Sequence, residues 1–193
     1  MALEHRKNTK RVVIHHSASA PGTTMEQVDS WHKNKGWTMI GYHYFIEADG
    51  KTKIGRPDWA VGAHAIGANF DSLGICLAGN FETAPPTQAQ MTALAGLIKD
   101  IRKAYGNIPV IGHFQVDPKK HPTACPGKLF PWGDMKESAE AEPVSEWGAK
   151  KQSIVLEAKN KELITGEHNP DDPAPKWFVL QVALNVMKKS GGK

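Results

Sequence analysis

The first strongly apolar run of the chain, Val12-Val13-Ile14, is β-branched and ends in two histidines, His15 and His16, before small polar residues take over. So short a run predicts a buried strand, and a side chain at its end is held on a rigid element at the rim of a sheet. The period then changes. Thr24 and Gln27 form a capping box, predicting a helix to about Lys35 that Gly36 stops, with Val28 and Trp31 facing inward. Residues 39–56 alternate apolar and polar around Asp49-Gly50, the pattern of a hairpin. Residues 57–70 show no clear period and are expected to form a loop on the functional face, before Leu73–Gly79 reads as another strand.

A second capping box, Thr87 with Gln90, opens the clearest helix. Met91, Leu94, Ile98, Ile101 and Tyr105 recur at helical spacing, and Gly106 ends it. Ile108–His113 is the last predicted strand. Phe114–Pro126 is turn-rich loop, and a short segment at 129–132 closes the domain. Strands and helices alternate irregularly, which predicts the α/β class: a central mixed β-sheet flanked by helices. Beyond Met135 the pattern turns polar and acidic, and residues 135–143 read as a linker. Residues 144–193 carry two apolar-bearing segments, one with Trp147 and Ile154–Leu156, the other with Trp177, Phe178, Leu180 and Leu184. They predict a small C-terminal helical hairpin, too small to stand alone, that packs on the core or on a partner. The expected organisation is therefore an arm at 1–10, a main domain at 11–134, the linker, and the helical region.

Composition narrows the partners. The 193 residues are 40% hydrophobic, enough for one core, and no stretch reaches the ~20 apolar residues of a membrane span. The amino terminus is basic and lacks the apolar run of a signal peptide, so no Sec export signal is expected, and its first residues read as a disordered arm. A net charge of +4 favours acidic partners such as a bacterial wall or a membrane surface, and the lysine clusters read as solvated faces. No zinc-finger spacing or RNA-binding signature is present, which argues against nucleic acid. Two cysteines are too few for a disulfide framework. Cys76 lies in a strand pattern and reads as core. Cys125, among Pro, Thr and Gly, asks for another explanation.

That explanation is a metal. His15, His113 and Cys125 each stand at a strand end or in the loop beyond one, and together they offer two imidazoles and a thiolate. Three such ligands suit a catalytic Zn²⁺ with an open position, and not the oxygen-preferring Mg²⁺ or Ca²⁺. His16 is a rival for His15, although strand alternation puts it on the other side. His121, four residues before Cys125, is the rival for His113. His43, beside Tyr42, should point away from it, while His32 and His5 are expected at the surface.

The stretches "VIHHSAS", "WHKNKGWTMIGYHYFIEADGKTKIGR", "AVGAHAIGAN", "SLGICLAGN" and "IGHFQV…TACPG" resemble the type 2 family of zinc-dependent N-acetylmuramoyl-L-alanine amidases. That family includes the short phage endolysins and the peptidoglycan recognition proteins. The resemblance covers about residues 10–132 and implies an open groove beside the zinc site. It implies His15, His113 and Cys125 as ligands and Tyr42 of "IGYH" as a catalytic residue, with His64 and Asn69 of "VGAHAIGAN" touching substrate. Two residues before the cysteine, where phage enzymes commonly carry lysine, this chain has Thr123, the expected second catalytic group. Lys119, Lys120 and His121 lie just upstream, in a loop four residues longer than the phage pattern. The implied activity is cleavage of the muramyl–L-alanine amide of peptidoglycan. A non-catalytic muropeptide binder of the same fold, or an intracellular recycling amidase, is the alternative. Residues 147–189 resemble one S-layer-homology-like motif, which implies a secondary wall polymer as a further partner.

Overall fold

A computed structural model describes residues 3–133, and the predicted linker, hairpin and wall-binding motif lie outside the described residues. The elements run β1 (Arg11–His16), α1 (Met25–Asn34), β2 (Tyr44–Ile46), β3 (Thr52–Ile54), β4 (Ser72–Leu77), α2 (Gln88–Tyr105) and β5 (Val110–Gly112), followed by a 3-10 turn at His113–Gln115. The strands form one sheet in the order β3-β2-β4-β1-β5. β1 pairs in parallel with both β4 and β5, β2 pairs in parallel with β4, and only the β2–β3 hairpin is antiparallel. The mixed sheet predicted from the irregular alternation is present.

Alternation along β1 sorts the two faces. Val12 and Ile14 join Ile46, Leu73, Ile75 and Leu77 in a core closed by Leu94, Ile98 and Ile101 of α2. Each of these side chains is almost fully buried, worth about 1.5–3 kcal/mol apiece. The helix starts where the pattern says, with the Thr87–Gln90 capping box formed and Gly106 in the left-handed region at its end. Buried Gln90 also donates from Nε2 to the Ile46 and Ala78 carbonyls, which ties the first turn of α2 to the ends of β2 and β4.

The opposite face, carrying Val13, His15, Phe45 and Cys76, is covered by α1 and the 57–70 loop. Here two expectations are corrected. Trp31 is 44% exposed, and the inward stripe of α1 runs through Met25, Val28 and His32 instead. His32 is half-buried because its Nδ1 accepts the Gly41 N–H at 3.0 Å and its ring packs 4.5 Å from Trp37. The spacing of three from Val28 placed Trp31 at the flank of a ten-residue helix, where the polar but hydrogen-bonding His32 took the inner position.

The amino-terminal arm is likewise fastened down. Arg6 donates from Nη1 to the Ala60 and Ser72 carbonyls at 3.0 and 3.2 Å, and from Nη2 to the Asp58 carbonyl. His5 is exposed as expected, stacked on Trp59 at 4.2 Å between ring centroids. A half-buried guanidinium with three carbonyl acceptors costs free energy if those bonds are left unmade. The arm from Glu4 onward therefore belongs to the domain.

Candidate active site

In the β1–β5 register Ile14 stands opposite Gly112, so His15, still within β1, and His113, the first residue after β5, follow side by side at one rim. Their ring centroids are 4.6 Å apart. Cys125 arrives from the loop that follows, pinned where the Phe114 N–H donates to its carbonyl at 2.9 Å. Its own N–H donates to Thr123 Oγ1 at 3.2 Å. Cys125 Sγ ends 3.7 Å from His15 Nδ1, and one ligand atom from each of His15, His113 and Cys125 falls within 4.8 Å of the others. Ligands of a tetrahedral zinc stand about 3.5 Å from one another, close to the 3.7 Å between His15 Nδ1 and Cys125 Sγ.

The chemistry of the donors fits the ion. Burial first, then the neighbouring His113 and His16, hold His15 well below the ordinary histidine range; burial also lowers His113. Both rings are neutral at pH 7 and carry a lone pair. Burial pushes the Cys125 thiol up to about 12. A thiol held there yields its proton only to a strong positive charge nearby, which a divalent cation between the three atoms would supply.

The competing histidines are placed elsewhere. His16 faces the α2 side of the sheet, where its Nδ1 accepts the Phe81 N–H at 3.0 Å. His43 is fully buried, its Nδ1 accepting the Gly74 N–H and its Nε2 lying 3.0 Å from the Ala60 carbonyl. His121 lies on the groove wall, outside the three-atom cluster.

A groove of about 490 Å³ opens beside the cluster, lined among others by Trp37, Ile66, Asn69, His113, His121 and Thr123. Tyr42 packs its ring 5.1 Å from that of His15. Burial first, then Cys76 and Cys125, raise its phenol well above the usual range, so it stays a hydrogen-bond donor. Thr123 accepts from Cys125, which leaves its hydroxyl proton free to donate into the groove. Lys119 and Lys120 are exposed and are not among the lining residues. Asn69 accepts the His64 and Ala65 N–H groups on Oδ1 at 2.8 and 2.9 Å, so only its NH₂ is available to a ligand.

His64 also borders the groove but is 9% exposed, with its Nδ1 3.0 Å from His15 Nε2. A Cβ on Gly62 or on Gly74 would come within 2.5 Å of its ring. The two glycines thus form a slot for this imidazole. Neither they nor the walls Trp37 and Ile66 were singled out from sequence. The available signal was Gly74 inside the "LGICL" strand, since a glycine in a strand interior often marks a close approach.

A sequence profile described as N-acetylmuramoyl-L-alanine amidase matches residues 5–128. The chain belongs to this amidase family. It is 34% identical over 143 residues to the endolysin of Escherichia phage T7, covering 70% of this chain and 92% of that one. It is 36% identical over 135 residues to peptidoglycan-recognition protein SC2 of Drosophila melanogaster, covering 64% of this chain and 71% of the relative. Among solved structures, the amidase LysC of Clostridium intestinale superposes with a TM-score of 0.67 at 36% identity, covering 74% of this chain and 92% of LysC. The amidase match begins at residue 5, within the arm that Arg6 ties to the sheet.

Proposed function

We propose that this amidase hydrolyses the bond between the N-acetylmuramoyl group and L-alanine in peptidoglycan, as an endolysin that waits in the host cytoplasm until lysis. The carrying observation is the convergence of His15, His113 and Cys125 within 4.8 Å, beside an open groove that His113 lines. The relatives named endolysin and amidase support the reading. His15, His113 and Cys125 would hold one Zn²⁺, which supplies a Lewis acid worth several kcal/mol of transition-state charge stabilisation. The protein's own residues do the rest. The protonated phenol of Tyr42 donates a hydrogen bond to the oxyanion that develops on the scissile carbonyl. Thr123 adds a second neutral donor, and Trp37 and Ile66 offer apolar surface along which the substrate is oriented.

The test uses the full chain on purified peptidoglycan. Hydrolysis should release new amino termini of L-alanine, cease on chelation and return with Zn²⁺. The Cys125→Ser variant should lose zinc and hydrolysis together. Binding of peptidoglycan with no new amino termini from the zinc-loaded protein would make the chain a muropeptide-binding module instead.

A further inference from the structure

His64 sits behind the metal ligands, and its environment determines which ring nitrogen carries the proton. Ser72 is fully buried, and its hydroxyl has one proton. Ser72 Oγ lies 2.6 Å from the Ala68 carbonyl, an acceptor only, so the proton is spent there. Toward His64 Nε2, 3.4 Å away, Ser72 Oγ can then only accept. Nε2 of His64 therefore bears the hydrogen, and its Nδ1 presents a lone pair. That lone pair faces His15 Nε2 at 3.0 Å, so His15 must carry its hydrogen on Nε2. The remaining nitrogen, His15 Nδ1, is left with its lone pair directed at Cys125 Sγ, 3.7 Å away.

Read from the metal end, the same chain is obtained. A ligating Nδ1 needs its lone pair, Nε2 must then donate, and a buried donor needs an acceptor behind it. Two independent ends, the Ala68 carbonyl and the ligand cluster, demand one assignment. The ring of His64 has little freedom to break it, because Gly62 and Gly74 enclose it on both sides.

We propose that His64 is a positioning residue: it accepts the His15 Nε2–H and so locks His15 in the tautomer and orientation that present Nδ1 to the metal. The relay runs Ala68 carbonyl, Ser72, His64, His15, with each proton committed. Both nitrogens of His64 are then engaged inside the protein, and neither remains for the substrate contact that the family resemblance implied. The proposal rests on the zinc reading above, but the tautomers are properties of the metal-free protein and can be read without it.

Long-range ¹⁵N–¹H spectra of the zinc-free chain near pH 7.5 should show His15 and His64 both protonated on Nε2. A His15 protonated on Nδ1 would overturn the proposal, whatever the zinc affinity. If the wild type binds no zinc, the functional reading fails while these spectra still decide the relay. Zinc affinity by chelator competition gives the second readout. His64→Asn places an oxygen acceptor where Nδ1 stood and should bind zinc nearly as the wild type does. His64→Leu fills the slot without an acceptor and should bind roughly 10–100-fold more weakly, the scale on which such supporting partners act. In hydrolysis, His64→Leu should lower kcat with KM little changed, whereas loss of a substrate contact would raise KM. Zinc binding by His64→Leu equal to wild type, or by His64→Asn as weak as by His64→Leu, sinks the relay. Should His64→Leu fail to fold, the wild-type spectra and His64→Asn remain decisive.

Discussion

Tyr42 beside His15 and Thr123 beside Cys125 bring two hydroxyl-bearing side chains to the ligand cluster, and neither carries a charge. A hydroxyl donates a hydrogen bond without a charge, so the developing oxyanion depends heavily on the aim of each donor. Tyr42 is the better placed of the two, with burial holding its proton and its ring fixed 5.1 Å from His15. Tyr42→Phe should therefore keep the fold and the zinc while kcat drops roughly 10²–10³-fold, the usual scale for losing one such donor. Hydrolysis of muropeptide by Tyr42→Phe at the wild-type rate would reduce the residue to packing. At this scale much was legible in the sequence. His15 and His113 follow apolar runs and Cys125 sits in a Pro-Gly turn, so each stood out from its neighbours. The partnership of His64 did not. It lies in a loop without period, and no pattern says which way a loop side chain turns.

Strand β4 shows how an element serves the site through what it lacks. Its six residues are all buried, yet Gly74 leaves a gap in the face between Ser72 and Cys76, and His64 fills it. The N–H of Gly74 also donates to His43 Nδ1, so this strand position supports two imidazoles. Gly74→Ala should force the His64 ring away and cost about 1–3 kcal/mol, as overpacking in a rigid core does. The check is the urea midpoint together with zinc affinity. A fall in stability with zinc affinity untouched would separate the slot from the ligand set. The elements themselves followed closely from hydrophobic period and caps, above all α2 and β1. The inner stripe of α1 did not, because His32 could displace Trp31 only once the Gly41 N–H was known to reach it.

Over the molecule as a whole, imidazoles buried in their neutral form make stability depend on acidity. Burial, reinforced by the Arg6 guanidinium 2.9 Å from its Nε2, lowers His43 to about 3. An unfolded chain has this group near 6.5, so between those values it binds a proton that the folded chain refuses. The stabilisation is whole above pH ~6.5 and is lost as pH falls toward 3, at up to about 1.4 kcal/mol per pH unit from this one group. His15 and His64 are lowered in the same direction and steepen the loss. Urea unfolding from pH 7 down to 4 should show that slope, and His43→Gln should flatten it by one proton's worth. A slope unchanged in His43→Gln would move the acid sensitivity elsewhere. The Arg6 contacts were hidden from the sequence, since a basic residue near a terminus looks like any solvated charge. The sheet order carries a further consequence, in time. β1 is formed early in synthesis, but its two neighbours begin at Ser72 and Val110, and the last ligand is Cys125. Contacts between such distant segments are closed late and against chain entropy, which puts folding toward the slower range for mixed domains. The nascent chain therefore holds a β-branched strand with nothing to pair it until more than half the domain has left the ribosome. No amino-terminal fragment that ends before Cys125 holds the full ligand set: the first residues of the site wait for the last.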